Sequence, residues 1–265
     1  MSPGLTVEDL FSLLESGAVI QYPVTFVEGW TVREVIAELQ KHPLLDLEDL
    51  PDNATDLAQS LNIEDSYANA EGLLFADTYS YRKDASAIRL LRRAYDRLQA
   101  LLVEEWSKRA EGLPYDNAYQ ALIAASLVEK ETGLAAERGK IAGVFVRRLQ
   151  RRMKLQTDPT VIYGLGEEFD GNLTRKHLRT PGPYNTYVNR GLPPTPIAVV
   201  GLASIQAALQ PEEGSSLYFV ARGDGSHAFS DTLAEHVAAV NRFQRNPVAN
   251  YRFSPGKKET GKKSE

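Results

Sequence analysis

The sequence predicts an α+β protein, mainly helical, with a small helix–strand–helix unit at its start and a short β-hairpin near its end. Three observations carry this. Residues 84–110 hold Ile88, Leu91, Tyr95, Leu98, Leu102 and Trp106 at close to helical spacing, the longest such pattern in the chain. Two further helical stretches follow at about 116–132 and 135–153, the second ending in a run of arginines. Finally, Leu217-Tyr218-Phe219-Val220 and Ala228-Phe229 flank Gly223-Asp224-Gly225 as the arms of a hairpin flank its turn.

Taken in order, Thr6 is a good N-cap for a short helix over residues 7–16, with Glu8 and Asp9 suited to its first turn and Gly17 as its stop. Residues 22–27 alternate as a strand does, and Pro23 favours its edge or start. Thr31 opens a second amphipathic helix with Val32, Val35, Ile36 and Leu39 on one side. Residues 43–70 are polar, acidic and weakly periodic, which predicts short helices and loops. Gly112 and Pro114 end the long helix. Residues 155–196 are dense in Pro, Gly, Tyr, Asn and Thr, and a stretch of that kind inside a domain tends to line a site. A short helix over 202–209, the hairpin, a last helix over 232–243 and a charged, disordered tail over 254–265 complete the reading.

Composition narrows the function classes. A chain of 265 residues with 43% hydrophobic and 25% charged residues is ordinary for a soluble globular protein. A net charge of −5 argues against nucleic-acid binding. With no cysteine, disulfides and Cys-based zinc sites are excluded. No stretch approaches the ~20 apolar residues that cross a bilayer, and the first residues lack the features of a signal peptide.

The most informative segment is Ala121-Leu-Ile-Ala-Ala-Ser-Leu-Val-Glu-Lys-Glu-Thr132, where Ser126 is the only polar residue before two carboxylates. At about 100° per residue, Glu129 and Glu131 point some 200° apart and cannot share a helix face. Glu131 projects with Ala124, Leu127 and Val128; Glu129 projects with Leu122, Ala125 and Ser126. If Gly133 ends the helix, burial and the negative end of the macrodipole both disfavour ionisation, the condition for a general acid acting on a glycosidic oxygen. The plainer reading is a helix end turning polar as it meets water.

Several segments together carry a resemblance. Glu71-Gly72 and Asp77-Thr78-Tyr79 are followed by Ser126-Leu-Val-Glu-Lys-Glu-Thr132 and Leu155-Gln-Thr-Asp-Pro-Thr-Val-Ile-Tyr-Gly164. Tyr184-Asn-Thr-Tyr187, Gly191-Leu-Pro-Pro194, Tyr218-Phe-Val220 and Gly225-Ser-His227 then come in that order. The set resembles the YceG-like family of endolytic murein transglycosylases, over residues from about Leu5 to Phe243. Position 76 is Ala where that family's pattern has Pro.

The resemblance implies a catalytic domain like that of lysozyme-type transglycosylases over 43–253, preceded by a partial LysM-like subdomain over 1–42. It implies cleavage of the MurNAc–GlcNAc bond without water, leaving 1,6-anhydro ends. It carries the acid/base role onto Glu131, because in such enzymes a small hydroxyl residue, here Thr132, follows the catalytic Glu. It implies glycan strands as partner, penicillin-binding proteins as further partners, and no cofactor. It also implies a membrane anchor missing from this chain, which would be a soluble part of a protein facing the periplasm from the inner membrane.

Residues expected to contact substrate are Glu71, Gln156, Thr157, Asp158, Tyr163, Tyr184, Asn185, Thr186, Tyr187 and His227. Each also has a structural reading: Asp158 could cap the helix that follows, the tyrosines could be buried with bonded hydroxyls, and Asn185 and Thr186 could be turn residues. His177, His227 and His236 show no metal-ligand spacing. The Arg147–Arg152 run reads as a solvated face or a contact for anionic stem peptides or lipid headgroups. Two rival functions remain open: a lysozyme-type muramidase and a non-catalytic peptidoglycan-binding module.

Overall fold

The computed structural model describes residues 19–64 and 67–245, together with Thr6, Glu8, Phe11, Ser12, Glu15 and Ser16. Of the predicted helix over 7–16, Glu8, Phe11, Ser12 and Glu15 are helical, Ser16 is in a turn and the rest lies outside the described residues, as does the tail over 254–265. The predicted strand forms as β1 (Tyr22–Thr25), and Thr31 caps α1 (Val32–Leu39) through a reciprocal capping box with Glu34. Val32, Val35, Ile36 and Leu39 are all buried, the face that the spacing predicts.

What the sequence did not indicate is the partner of β1. It pairs antiparallel with β3 (Thr78–Tyr81), Tyr22 opposite Tyr81 and Thr25 opposite Thr78. The short β2 (Leu45–Asp46) runs parallel to β4 (Ala85–Ser86), and α2 (Ala54–Ser60) lies between β2 and β3 in the chain. Phe26 packs against Tyr79 with the rings tilted and their centroids 5.0 Å apart. The side chains of α1 share one core with Leu73, Leu74, Leu90 and Leu91. The N-terminal elements are thus held in the same body as the long helix α3 (Ala87–Ser107). On α3 the buried stripe runs through Leu90, Leu91, Ala94, Leu98 and Leu102, while Ile88, Tyr95 and Trp106 stay half-buried.

At the centre is α4 (Ala118–Glu131), capped by Asn117 and buried at every position from Ala121 to Val128. It packs against α3, α5 (Arg138–Gln150) and α8 (Leu202–Leu209). Its one polar core residue is satisfied: Ser126 Oγ donates to Ile123 O (2.7 Å) and accepts from Ile197 N (3.0 Å). That second bond ties residues 197–200 to α4; the same segment exchanges backbone bonds with Gly29 and Trp30.

The loop-rich stretch contains two short helices, α6 (Asp158–Leu165) and α7 (Arg175–Arg179). The hairpin forms from β5 (Tyr218–Ala221) and β6 (His227–Ser230), and His227 opens its second strand. Helix α9 (Leu233–Val240) follows and runs into a π-helical turn at Asn241–Arg245.

Half of the arginine run is not a free face. Arg147 donates to Ser216 O and Glu212 O, and Arg148 is buried, donating to Leu217 O (2.6 Å), Lys154 O and Leu155 O (2.8 Å). These bonds pin the hairpin and the start of the loop-rich stretch to α5. Among the described residues, no helix is long and apolar enough to cross a membrane.

Candidate active site

Glu131 is the last residue of α4, and Thr132 leaves the helix in an extended conformation. The two carboxylates diverge as the helical spacing requires. Glu129 accepts from Gly201 N (3.1 Å) and lies 3.8 Å from Arg138 on the α8 side, and burial raises its pKa. Glu131 turns towards the loop-rich stretch, half-buried, where Thr157 Oγ1 donates to its Oε1 (3.1 Å). Its Oε2 has no hydrogen-bond partner among the described residues. The carboxyl is pushed up to about 7, first by its enclosure away from water, then by the Asp158 charge, against the Thr157 hydroxyl. A group with that pKa both holds and releases a proton near neutrality.

Thr157 is presented by a small lattice of buried threonines. Its N–H donates to Thr186 Oγ1 (3.1 Å), Thr160 Oγ1 donates to Thr157 O (2.8 Å), and the Thr160 and Thr186 hydroxyls are 2.8 Å apart. Gln156, just before, is exposed and holds φ at +51°, a conformation unusual for a residue with a Cβ; its N–H donates to Thr186 O. Asp158 occupies the first turn of α6 rather than its cap, which is Thr157. Its carboxylate accepts from Tyr187 OH at 2.5 Å, and burial followed by the Asp158 charge lifts the Tyr187 hydroxyl well above its usual pKa. Glu131, Gln156, Thr157, Asp158, Thr186 and Tyr187 therefore form one group, assembled from three chain segments.

The other expected residues sit apart from that group or support it. Glu71 is 4% exposed, with Oε1 accepting from Val32 N (3.0 Å) and Oε2 from Tyr163 OH (3.2 Å), so both oxygens are used inside the chain. Burial, opposed by those donors, pushes its carboxyl up to about 7. Tyr163 packs edge-on against Tyr184 at 4.8 Å, and the Tyr184 hydroxyl bonds Thr195 Oγ1. Asn185 is buried; Nδ2 donates to His177 O (3.1 Å) and Thr180 O (2.7 Å), and Oδ1 accepts from Tyr187 N. His227 bonds Glu137 through Nδ1 (2.8 Å) and its backbone N–H (3.0 Å).

Two residues at this site escaped the sequence reading. Thr160 lies one helical turn after Thr157, a spacing that could have suggested it. Lys154, whose Nζ donates to Tyr187 O (3.0 Å), had no local signal, and Arg148, expected on a solvated face or an anion contact, is buried and donates to Leu155 O.

A family model described as the YceG-like family matches residues 1–242. The chain belongs to the YceG-like family. An endolytic murein transglycosylase of Bacillus subtilis is 32% identical over 261 residues, covering 92% of this chain and 71% of the relative. A protein of the same name from Streptococcus pneumoniae is 33% identical over 174 residues, covering 62% of this chain; the match takes in 31% of that longer protein. The crystal structure of a YceG-like protein from Listeria monocytogenes superposes with a TM-score of 0.67 at 30% identity, covering 90% of this chain and 82% of that one. The mixed helix-and-sheet architecture described above is thus that of a YceG-like protein.

Proposed function

We propose that this chain is an endolytic murein transglycosylase, with Glu131 as the single general acid/base. The observation that carries the reading is a carboxyl at the end of an apolar helix, with a pKa near 7, one oxygen held by Thr157 and the other without a partner among the described residues. The protonated acid delivers its proton to the oxygen that leaves MurNAc C1, on the bond to GlcNAc. The resulting carboxylate then takes the proton of the muramyl C6 hydroxyl as that oxygen closes onto C1. The products are a GlcNAc hydroxyl end and a 1,6-anhydro-MurNAc end, and the acid is regenerated.

In this reading Thr157 orients the acid, while Gln156, Asp158 and Tyr187 face the glycan. Glu71, Tyr163, Tyr184, Asn185 and Thr186 hold the surrounding segments. His227, paired with Glu137, contributes to the rim. Residues 1–42 are the LysM-like part and 43–253 the catalytic region, and the protein works from the inner membrane into the periplasm beside penicillin-binding proteins. These assignments follow the family resemblance.

A muramidase has one observation in its favour: Asp158 is a second carboxylate whose charge reaches Glu131. Hydrolysis needs such a group to act on water or on C1; here its Oδ1 accepts the Tyr187 hydroxyl. Mass spectrometry of fragments released from purified peptidoglycan separates the readings. The expected result is anhydromuramyl ends from this protein and none from Glu131→Gln. Reducing ends would make it a hydrolase, and no release from a folded protein would leave a binding module.

A further inference from the structure

Charge is unevenly distributed along this chain. Against a net −5, residues 171–211 hold Arg175, Lys176, Arg179 and Arg190 and not one Asp or Glu. All four side chains are exposed, and none has a carboxylate within ion-pair distance among the described residues. Folded surfaces usually intersperse the two signs, so four unmatched cations in a short segment leave a local positive field.

The fold ties these cations to the candidate site. Asn185 clasps His177 and Thr180 from α7 and, through its side-chain oxygen, the N–H of Tyr187. Asn189 Nδ2 donates to Gly182 O (2.7 Å), closing the loop that ends in Arg190. Helix α7 and the residue at 190 therefore flank the segment that delivers Thr186 and Tyr187 to Glu131 and Asp158. The arginine run at Arg147–Arg152, the sequence's own candidate for anionic ligands, spends Arg147 and Arg148 on backbone carbonyls. Arg151 and Arg152 stay exposed, but the exposed cations at 175–190 are the ones that Asn185 links to Tyr187.

Sugar rings in a murein strand are uncharged, but each muramyl residue can bear a peptide with free carboxylates. We propose that Arg175, Lys176, Arg179 and Arg190 form a subsite for the carboxylates of peptides carried on the glycan strand. This rests on the transglycosylase reading above. An acidic lipid surface is the weaker match, because residues 171–190 include no exposed large hydrophobic side chain to enter an interface. The subsite would make the enzyme prefer peptide-bearing strands over bare ones.

The test compares release of anhydromuramyl ends from peptide-bearing glycan and from glycan stripped of peptide by an amidase. The variant is R175Q/K176Q/R179Q/R190Q. On peptide-bearing strands its KM should rise about 16-fold, at roughly twofold for each of the exposed charges, with kcat held. The gap should narrow at high salt, stripped strands should be handled as by the unmodified protein, and R175K/R179K/R190K should keep the preference. An equal loss on both substrates, or no change on either, overturns the proposal. Loss of binding to phosphatidylglycerol vesicles with an unchanged glycan KM would replace it with a lipid contact. If the unmodified protein releases no anhydro ends at all, the functional reading has failed. Co-sedimentation with the two glycans then decides the subsite: preferential retention of peptide-bearing strands, lost in the quadruple variant, supports it, and equal retention overturns it.

Discussion

A carboxyl that gives up a proton and retakes one within a turnover works best when its pKa sits near the ambient pH. Glu131 meets that condition through enclosure, with the Asp158 charge adding to it. The protonated form starts the reaction, so kcat/KM should fall on an alkaline limb near pH 7. Asp158→Asn removes the like charge but keeps an oxygen that can accept from Tyr187. It should lower the Glu131 pKa and move that limb to lower pH, readable from kcat/KM profiles of the two proteins. A limb that stays in place would show that Asp158 does not tune the acid. At this scale the sequence was most legible: the divergence of Glu129 and Glu131 follows from helical geometry alone. Which of the two meets a donor such as Thr157, 26 residues away, did not.

Among the elements, α4 carries Glu131 at the end of a buried stretch, Ala121–Val128, that is apolar but for one residue. Ser126 is the exception, and its hydroxyl is the acceptor for the N–H of Ile197 on the segment that also pairs with Gly29 and Trp30. Ser126→Ala would leave that buried N–H unsatisfied, a cost of about 1–3 kcal/mol. The expected outcome is a lower melting temperature; an unchanged one would mean that Ile197 finds another acceptor. Helices α1, α3, α4 and α8 and the hairpin were readable because periodicity, caps and turn residues are local properties. The pairing of β1 with β3 was not, since the Thr25 and Thr78 hydroxyls that meet across it are 53 residues apart. Tyr22–Thr25 reads as a strand in isolation; its neighbour is chosen by which apolar face closes over Phe26.

Across the whole molecule, carboxyls whose pKa the fold raises make stability depend on pH, and Glu129 is one of them. Glu71 and Glu131 are both raised from an ordinary 4.5 to about 7 in the fold. Between those values the native state binds more protons than the unfolded chain, so stability should fall as pH rises and level off above about 7. Glu71→Gln should flatten that decline by on the order of 2 kcal/mol, given the linkage of about 1.4 kcal/mol per pKa unit and a discount for relaxation around the buried group. Denaturant unfolding from about pH 5 to pH 8 measures it, and an unchanged slope would place the effect elsewhere.

By itself, the sequence determined the fold class, most of the helices, the hairpin, the outward turn of Glu131 from its helix and the family resemblance. Each of these is written in residues within a turn or two of one another, or in motifs that keep their order along the chain. The tertiary structure alone decided that Glu71 lies inside, that Arg148 pins Leu155 and Leu217, that three threonines from two segments present a hydroxyl to Glu131, and that the exposed cations at 175–190 flank the site while Arg147 is spent on Ser216 O and Glu212 O. The physical reason is common to all four. Burial, and the partner of a polar group, are set by whatever comes close in space, and closeness between distant segments leaves no local trace in the chain.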